Sequence, residues 1–217
     1  MNFDQLKILY EDNHLLVLCK PPGMLVQGDQ TGDPTLLEMA KAYIKKVSNK
    51  PGNAYLGLVH RLDRPASGVI VFARTSKAAG RLMKQFQQRQ IGKIYHCLAE
   101  GEIPLNGEWL DRIERHGVTS VISAGEPNAV LCFKRLQFKA GVSQAEVQLL
   151  SGKHHQIRVQ FASRGFPLLG DFRYGSKIKF PNRSIALHAR SLHIIHPIRQ
   201  EPLIVSCDVP KYWCEYV

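Results

Sequence analysis

The chain has 217 residues, with 29 Lys and Arg against 18 Asp and Glu and a formal net charge of +11. Apolar residues at 44% and charged residues at 22% are those of an ordinary globular protein, and a chain of this size buries roughly 70% of its unfolded surface, so disorder, collagen-like repeats and a disulfide-stapled miniprotein are excluded. The charge is concentrated: from Lys134 to Arg199 there are twelve Lys or Arg and only two acids, Glu146 and Asp171, which points to an anionic partner such as nucleic acid.

The amino terminus carries Asp4, Glu11 and Asp12 and no long apolar run, so it does not read as a secretory signal. Leu6–Tyr10 and Leu15–Cys19 are strand-like strings joined by Glu11-Asp12-Asn13, and Lys20-Pro21-Pro22-Gly23 stops the second, because neither proline can donate to a ladder. Asp33-Pro34 predicts a helix start, with Asp as cap and Leu36, Leu37, Ala40, Tyr43, Ile44 and Val47 following at helical spacing. Gly68–Ala73 is a continuous apolar run, expected as a strand buried on both faces. Ser76 is expected to cap a helix reaching about Gln90, with Leu82, Met83 and Phe86 inward. Ile91–Gly101 reads as a strand, and Val118–Ser123, Ala129–Phe138 and Val142–Leu150 as an antiparallel meander. His155–Ser163 suits a third helix and Leu187–Ile195 a late strand. Strands outnumber helices and do not alternate with them, so the expected class is α+β with a largely antiparallel sheet, in one domain over 1–217. Cys19, Cys97, Cys132, Cys207 and Cys214 are odd in number and far apart, with no C-x-x-C, so reduced thiols are expected rather than a disulfide or a zinc site. No run approaches the 18 or so apolar residues of a membrane span; the expectation is a soluble, cytoplasmic protein.

Three clusters could carry chemistry. His60-Arg61-Leu62-Asp63-Arg64-Pro65-Ala66-Ser67-Gly68 places an acid in a loop at the mouth of the buried strand, where catalytic groups are commonly presented. Ser151-Gly152-Lys153-His154-His155-Gln156-Ile157-Arg158 lies in the basic stretch and puts Arg158 one turn into a helix. Lys93-Ile94-Tyr95-His96-Cys97 sets Lys93, Tyr95 and Cys97 on one strand face. His154 and His155 have no companion ligand at i+4, and there is no nucleophile elbow, phosphate loop or dinucleotide fingerprint, so neither metal nor cofactor is expected. The residues alone reach a basic α+β protein with an Asp–Arg site that binds RNA or DNA.

Taken in order, these segments resemble the RluA family of RNA pseudouridine synthases. HRLDRPASG (60–68) is similar to the family signature, and Lys20-Pro21-Pro22-Gly23-Met24, Lys93-Ile94-Tyr95 up to Gly101, GKHHQIRV (152–159) with GFPLLGDFRYG (165–175), and Leu187-His188-Ala189-Arg190 with His196-Pro197 match in the same sequence. The likeness runs from about Leu6 to Pro210. It departs at Ala66, where the family commonly has Thr, and at His154, often Thr or Lys. It implies a pseudouridine synthase fold with a basic active-site cleft, flanking helices and a catalytic-domain-only form lacking a separate amino-terminal RNA-binding domain.

The reaction implied by the resemblance isomerises a uridine within ribosomal or transfer RNA, without cofactor or metal. Asp63 is then the nucleophile, toward the sugar anomeric carbon or ring carbon 6, with an acid-first glycal route left open. Such a site needs a charged carboxylate where water is excluded, and burial disfavours charge, so a permanent cation is required; Arg158 matches the family's arginine in that role. Tyr95 matches the active-site tyrosine that stacks on uracil and handles the carbon 5 proton. His60, Arg61, Arg64, Lys93, His155 and Gln156 are implied in substrate binding, Arg61 filling the place of the flipped base. RNA is the expected partner and a monomer the expected state. The rival reading is a non-catalytic RNA-binding or RNA-folding protein on the same scaffold.

Overall fold

A computed structural model describes residues 6–48 and 54–217. The chain divides into two compact units, one ending at Ile91 and resumed over Ser191–Cys207, the other comprising Gly92–Arg190 and Asp208–Val217. Every strand pair with an assigned register is antiparallel, so each unit shows the expected α+β class.

In the first unit, β1 (Lys7–Glu11) pairs with β2 (Leu15–Lys20) across a turn that Asp12 closes: its Oδ1 accepts the amides of His14 and Leu15, both at 2.8 Å. β2 pairs in turn with β4 (Ser67–Ala73), Leu15 facing Ala73 and Lys20 facing Gly68, and the two-residue β3 (Gly57–Leu58) lies on β4's other side. All seven residues of β4 are buried, as its unbroken apolar run requires. Helix α2 (Ser76–Gln87) lays Ala78, Ala79 and Leu82 on a core of Leu15, Val17, Val69 and Val71. The same core takes in Leu192, Ile194 and Val205 from the hairpin of β10 (Leu187–Ile195) and β11 (Pro202–Ser206).

Several expectations need correcting here. Helix α1 (Leu36–Ser48) is capped by Thr35, not Asp33: Thr35 Oγ1 accepts the Glu38 amide while the Glu38 carboxylate takes the Thr35 amide, a reciprocal box. Asp33 instead pairs with Arg64 at 2.5 Å. Thr75 rather than Ser76 caps α2. Val47 and Met83 are exposed at 56% and 47%, because both fall off the buried stripe of their helices. Cys19 and Cys207 form a disulfide instead of remaining reduced; β2 and the residue after β11 bring together cysteines 188 positions apart, which no local spacing could reveal.

The second unit is a meander in the order β5-β9-β8-β6-β7, built from β5 (Gly92–Glu100), β6 (Asn106–His116), β7 (Thr119–Ser123), β8 (Ala129–Lys139) and β9 (Val142–Leu149). Strand β6 escapes sequence reading because its inner face alternates Gly107, Trp109, Asp111 and Ile113 with little apolar weight. Its closure on α3 (Gln156–Ala162) is polar: Gln160 Nε2 donates to Asp111 at 2.7 Å, and Arg164 lies over the Trp109 ring at 4.5 Å. Val159 of α3 packs on Ile113 and Ala129.

Candidate active site

The nine residues expected at the site fall on both units: His60, Arg61, Asp63 and Arg64 on the first; Lys93, Tyr95, His155, Gln156 and Arg158 on the second.

Asp63 is half-buried on a tight turn, its carbonyl accepting the Ala66 amide at 3.1 Å just before β4 begins. The turn is anchored from beneath by Lys20, which sequence reasoning noted only as part of a motif. Lys20 is fully buried, and its Nζ donates to the carbonyls of Pro21, Met24 and Arg64 at 3.0, 2.8 and 3.0 Å. Burial pulls its pKa down to about 7; Asp63 opposes that fall and Arg64 adds to it. The three carbonyls can take all three hydrogens of the ammonium, but burial still disfavours its charge. Arg64 is tied back by Nε to the Gly23 carbonyl and by Nη2 to Asp33, and the Gly23 amide donates to the Arg64 carbonyl. His60 braces β4: its Nε2 accepts the Val71 amide at 3.1 Å and its ring stacks on Phe86. Arg61 is exposed.

On the second unit, Tyr95 is half-buried in β5, opposite Val147 of β9. Lys93 Nζ donates to the Ser151 carbonyl at 2.6 Å. Gln156 is buried, its amide oxygen accepting from Ser151 Oγ and the Lys153 amide and its nitrogen donating to the Val130 carbonyl, so it locks the loop ahead of α3. His155 has a φ of 54°, the left-handed conformation, immediately before the helix. Its ring stacks on His154 at 3.7 Å, and its Nδ1 meets the Tyr174 hydroxyl at 2.9 Å.

Arg158 holds a partner that sequence reasoning did not assign. Its Nε and Nη2 meet the two carboxylate oxygens of Asp171 at 2.7 and 2.9 Å, with the side chains 4% and 1% exposed. The signal was present: Asp171 is one of two acids in a stretch of twelve cations, and such an acid is either a surface remnant or a buried counter-charge. Arg158 Cζ also stands 5.0 Å from the centre of the Tyr174 ring. Burial raises the Tyr174 pKa, while the Ser120 amide and Arg158 pull it down.

Comparison with known proteins agrees with these segments. A family model described as RNA pseudouridylate synthase matches residues 14–163. An uncharacterized RNA pseudouridine synthase of Bacillus subtilis, YhcT, is 34% identical over 96% of this chain and 70% of its own length. Ribosomal large subunit pseudouridine synthase D of Pseudomonas aeruginosa is 35% identical over 89% of this chain and 65% of its own length. This chain thus spans about two thirds of those relatives. Human RNA pseudouridylate synthase domain containing 4 shares the fold, with a TM-score of 0.79 at 23% identity over 96% of this chain and 90% of its own; human domain containing 1 gives 0.77 at 25% over 97% and 86%.

Proposed function

The chain belongs to the RluA family of RNA pseudouridine synthases, isomerases that act on RNA, and from that premise we propose that it converts a uridine of ribosomal or transfer RNA to pseudouridine with Asp63 as nucleophile. Large-subunit ribosomal RNA is favoured, because that substrate is named in the similar proteins of Pseudomonas and Xanthomonas.

The observation that carries the reading is the Asp63 turn, a carboxylate presented at the mouth of a fully buried strand over a buried lysine. In the reaction the bond from uracil N1 to the sugar C1′ breaks, the base turns and a bond from C5 to C1′ forms. Carbon 5 gives up its proton and N1 gains one, so no electrons enter or leave. Asp63 supplies the nucleophilic oxygen, Tyr95 stacks on the base and handles the carbon 5 proton, and Arg158 contributes a charge that cannot be lost. The everted base leaves a gap in the RNA stack, and exposed Arg61 is suited to fill it. His60, Gln156 and Lys93 serve this binding indirectly, His60 by bracing β4 beside the Asp63 turn and Gln156 and Lys93 by fixing the loop that leads into the helix carrying Arg158. Arg64 follows Asp63 in its turn, and His155 opens the helix that carries Arg158.

Incubation with uridine-labelled RNA tests this directly. The wild type forms pseudouridine, and Asp63→Ala forms none while its RNA affinity stays within about threefold, since phosphate contacts rather than the nucleophile carry affinity. Turnover by Asp63→Ala would remove it as the nucleophile.

A further inference from the structure

Asp171 has no part in that chemistry, yet it is buried and bonded through its amide, its carbonyl and both carboxylate oxygens. We propose that Asp171 is a positioning residue for the isomerisation: together with Tyr174 it fixes the plane in which Arg158 presents its guanidinium. The proposal rests on the role given to Arg158 above.

A buried ion pair is a poor device for stability, because stripping water from two charges offsets most of their attraction and an apolar pair of equal volume does as well. What the bidentate contact does supply is orientation. Both carboxylate oxygens engage the Nε–Nη2 edge, so the guanidinium cannot swivel about its last bond as it could on a single hydrogen bond. The Tyr174 ring covers one face of the same group.

These two residues are themselves held. Asp171 donates its amide to the Leu168 carbonyl, and its own carbonyl accepts the amides of Tyr174 and Ser176. Before it, Gly170 adopts a φ of +79°, and a Cβ there would stand 2.3 Å from the Ser184 carbonyl oxygen and 2.6 Å from Phe180 Cβ. Only glycine fits, so the backbone entering Asp171 has one course. The Tyr174 hydroxyl accepts the Ser120 amide at 2.8 Å and meets His155 Nδ1 at 2.9 Å, which ties the ring to β7 and to the residue that opens α3. Arg158 is therefore clamped from its own helix entry, from the turn that follows and from a neighbouring strand. A group that must meet changing charge works best when fixed beforehand.

The test measures steady-state pseudouridine formation by the full chain and its Asp171 variants. Asp171→Asn, isosteric but unable to receive both guanidinium hydrogens, lowers kcat about 100-fold, the cost typical of a displaced catalytic group, and leaves KM for RNA within about threefold. Asp171→Glu restores the carboxylate at the expense of packing, and its kcat lies above that of Asp171→Asn. A residue needed only for packing would give the reverse order, Asn above Glu, and that order overturns the proposal, as does a kcat for Asp171→Asn near wild type. Should Asp171→Asn not fold, Tyr174→Leu replaces it: loss of the ring lowers kcat at least tenfold with KM nearly unchanged, and an unchanged kcat overturns the proposal. Arg158→Lys at full activity would instead remove the role of Arg158 itself.

Discussion

At the residue scale, Lys20 shows how a motif letter becomes physics. Its ammonium satisfies three buried carbonyls, so Lys20→Met strands them and costs roughly 2–4 kcal/mol, measured by urea denaturation. The pH dependence has a definite sign. With a folded pKa of about 7, below that of the unfolded chain, the native state has released a proton that the unfolded state still holds, so Lys20 makes stability rise as pH climbs from about 7. Buried Cys97, whose pKa burial raises, acts oppositely once an unfolded thiol ionises, near pH 9. Between these limits the wild type gains stability and Lys20→Met does not; a flat wild-type profile over pH 7–9 would contradict the assignment. Sequence could expose Lys20 as part of a string but not its burial, because all three acceptors are backbone atoms. Asp171 stood out as a rare acid in the basic stretch, but its partner did not, because Arg158 lies thirteen positions back on the preceding helix.

At the scale of elements, the strongly patterned segments were the legible ones. Strand β4 and the late strand β10 follow directly from apolar runs, and α3 begins within one residue of its expected start. Strands β6 and β11 were missed because each buries little: of β11 only Val205 is fully covered, and the run opens on a proline. Caps were misplaced by one or two residues, since Asp33-Pro34 and Ser76 imitate the signals that Thr35 and Thr75 fulfil. The reciprocal box on α1 predicts that Thr35→Ala costs about 1 kcal/mol in thermal or denaturant unfolding, whereas Asp33→Ala, which removes only an exposed ion pair, costs less than about 0.5 kcal/mol. A larger loss at position 33 would restore it as the cap.

At the scale of the molecule, charge and the disulfide govern behaviour in solution. RNA affinity falls with salt, log K declining by about 0.7 per single-stranded phosphate for each tenfold rise, and a response independent of salt would speak against a basic binding surface. The chemical class was visible in the chain because several ordered motifs had to coincide. The cystine was not, since Cys19 and Cys207 meet only once the first unit is assembled. Reduction, or Cys207→Ala, should lower that unit's stability by about 2–4 kcal/mol, read as an earlier denaturation midpoint with reductant than without.

The first unit joins segments far apart along the chain, Leu15, Val17, Val69 and Val71 being sealed by Leu192, Ile194 and Val205. A polypeptide emerging from the ribosome can complete β5 through β9 while that earlier core still lacks its last two strands. That core therefore closes only after translation has passed residue 205, and a transcript cut short before Ser191 yields the Asp63 turn with its strand β4 lacking the apolar cover of Leu192, Ile194 and Val205.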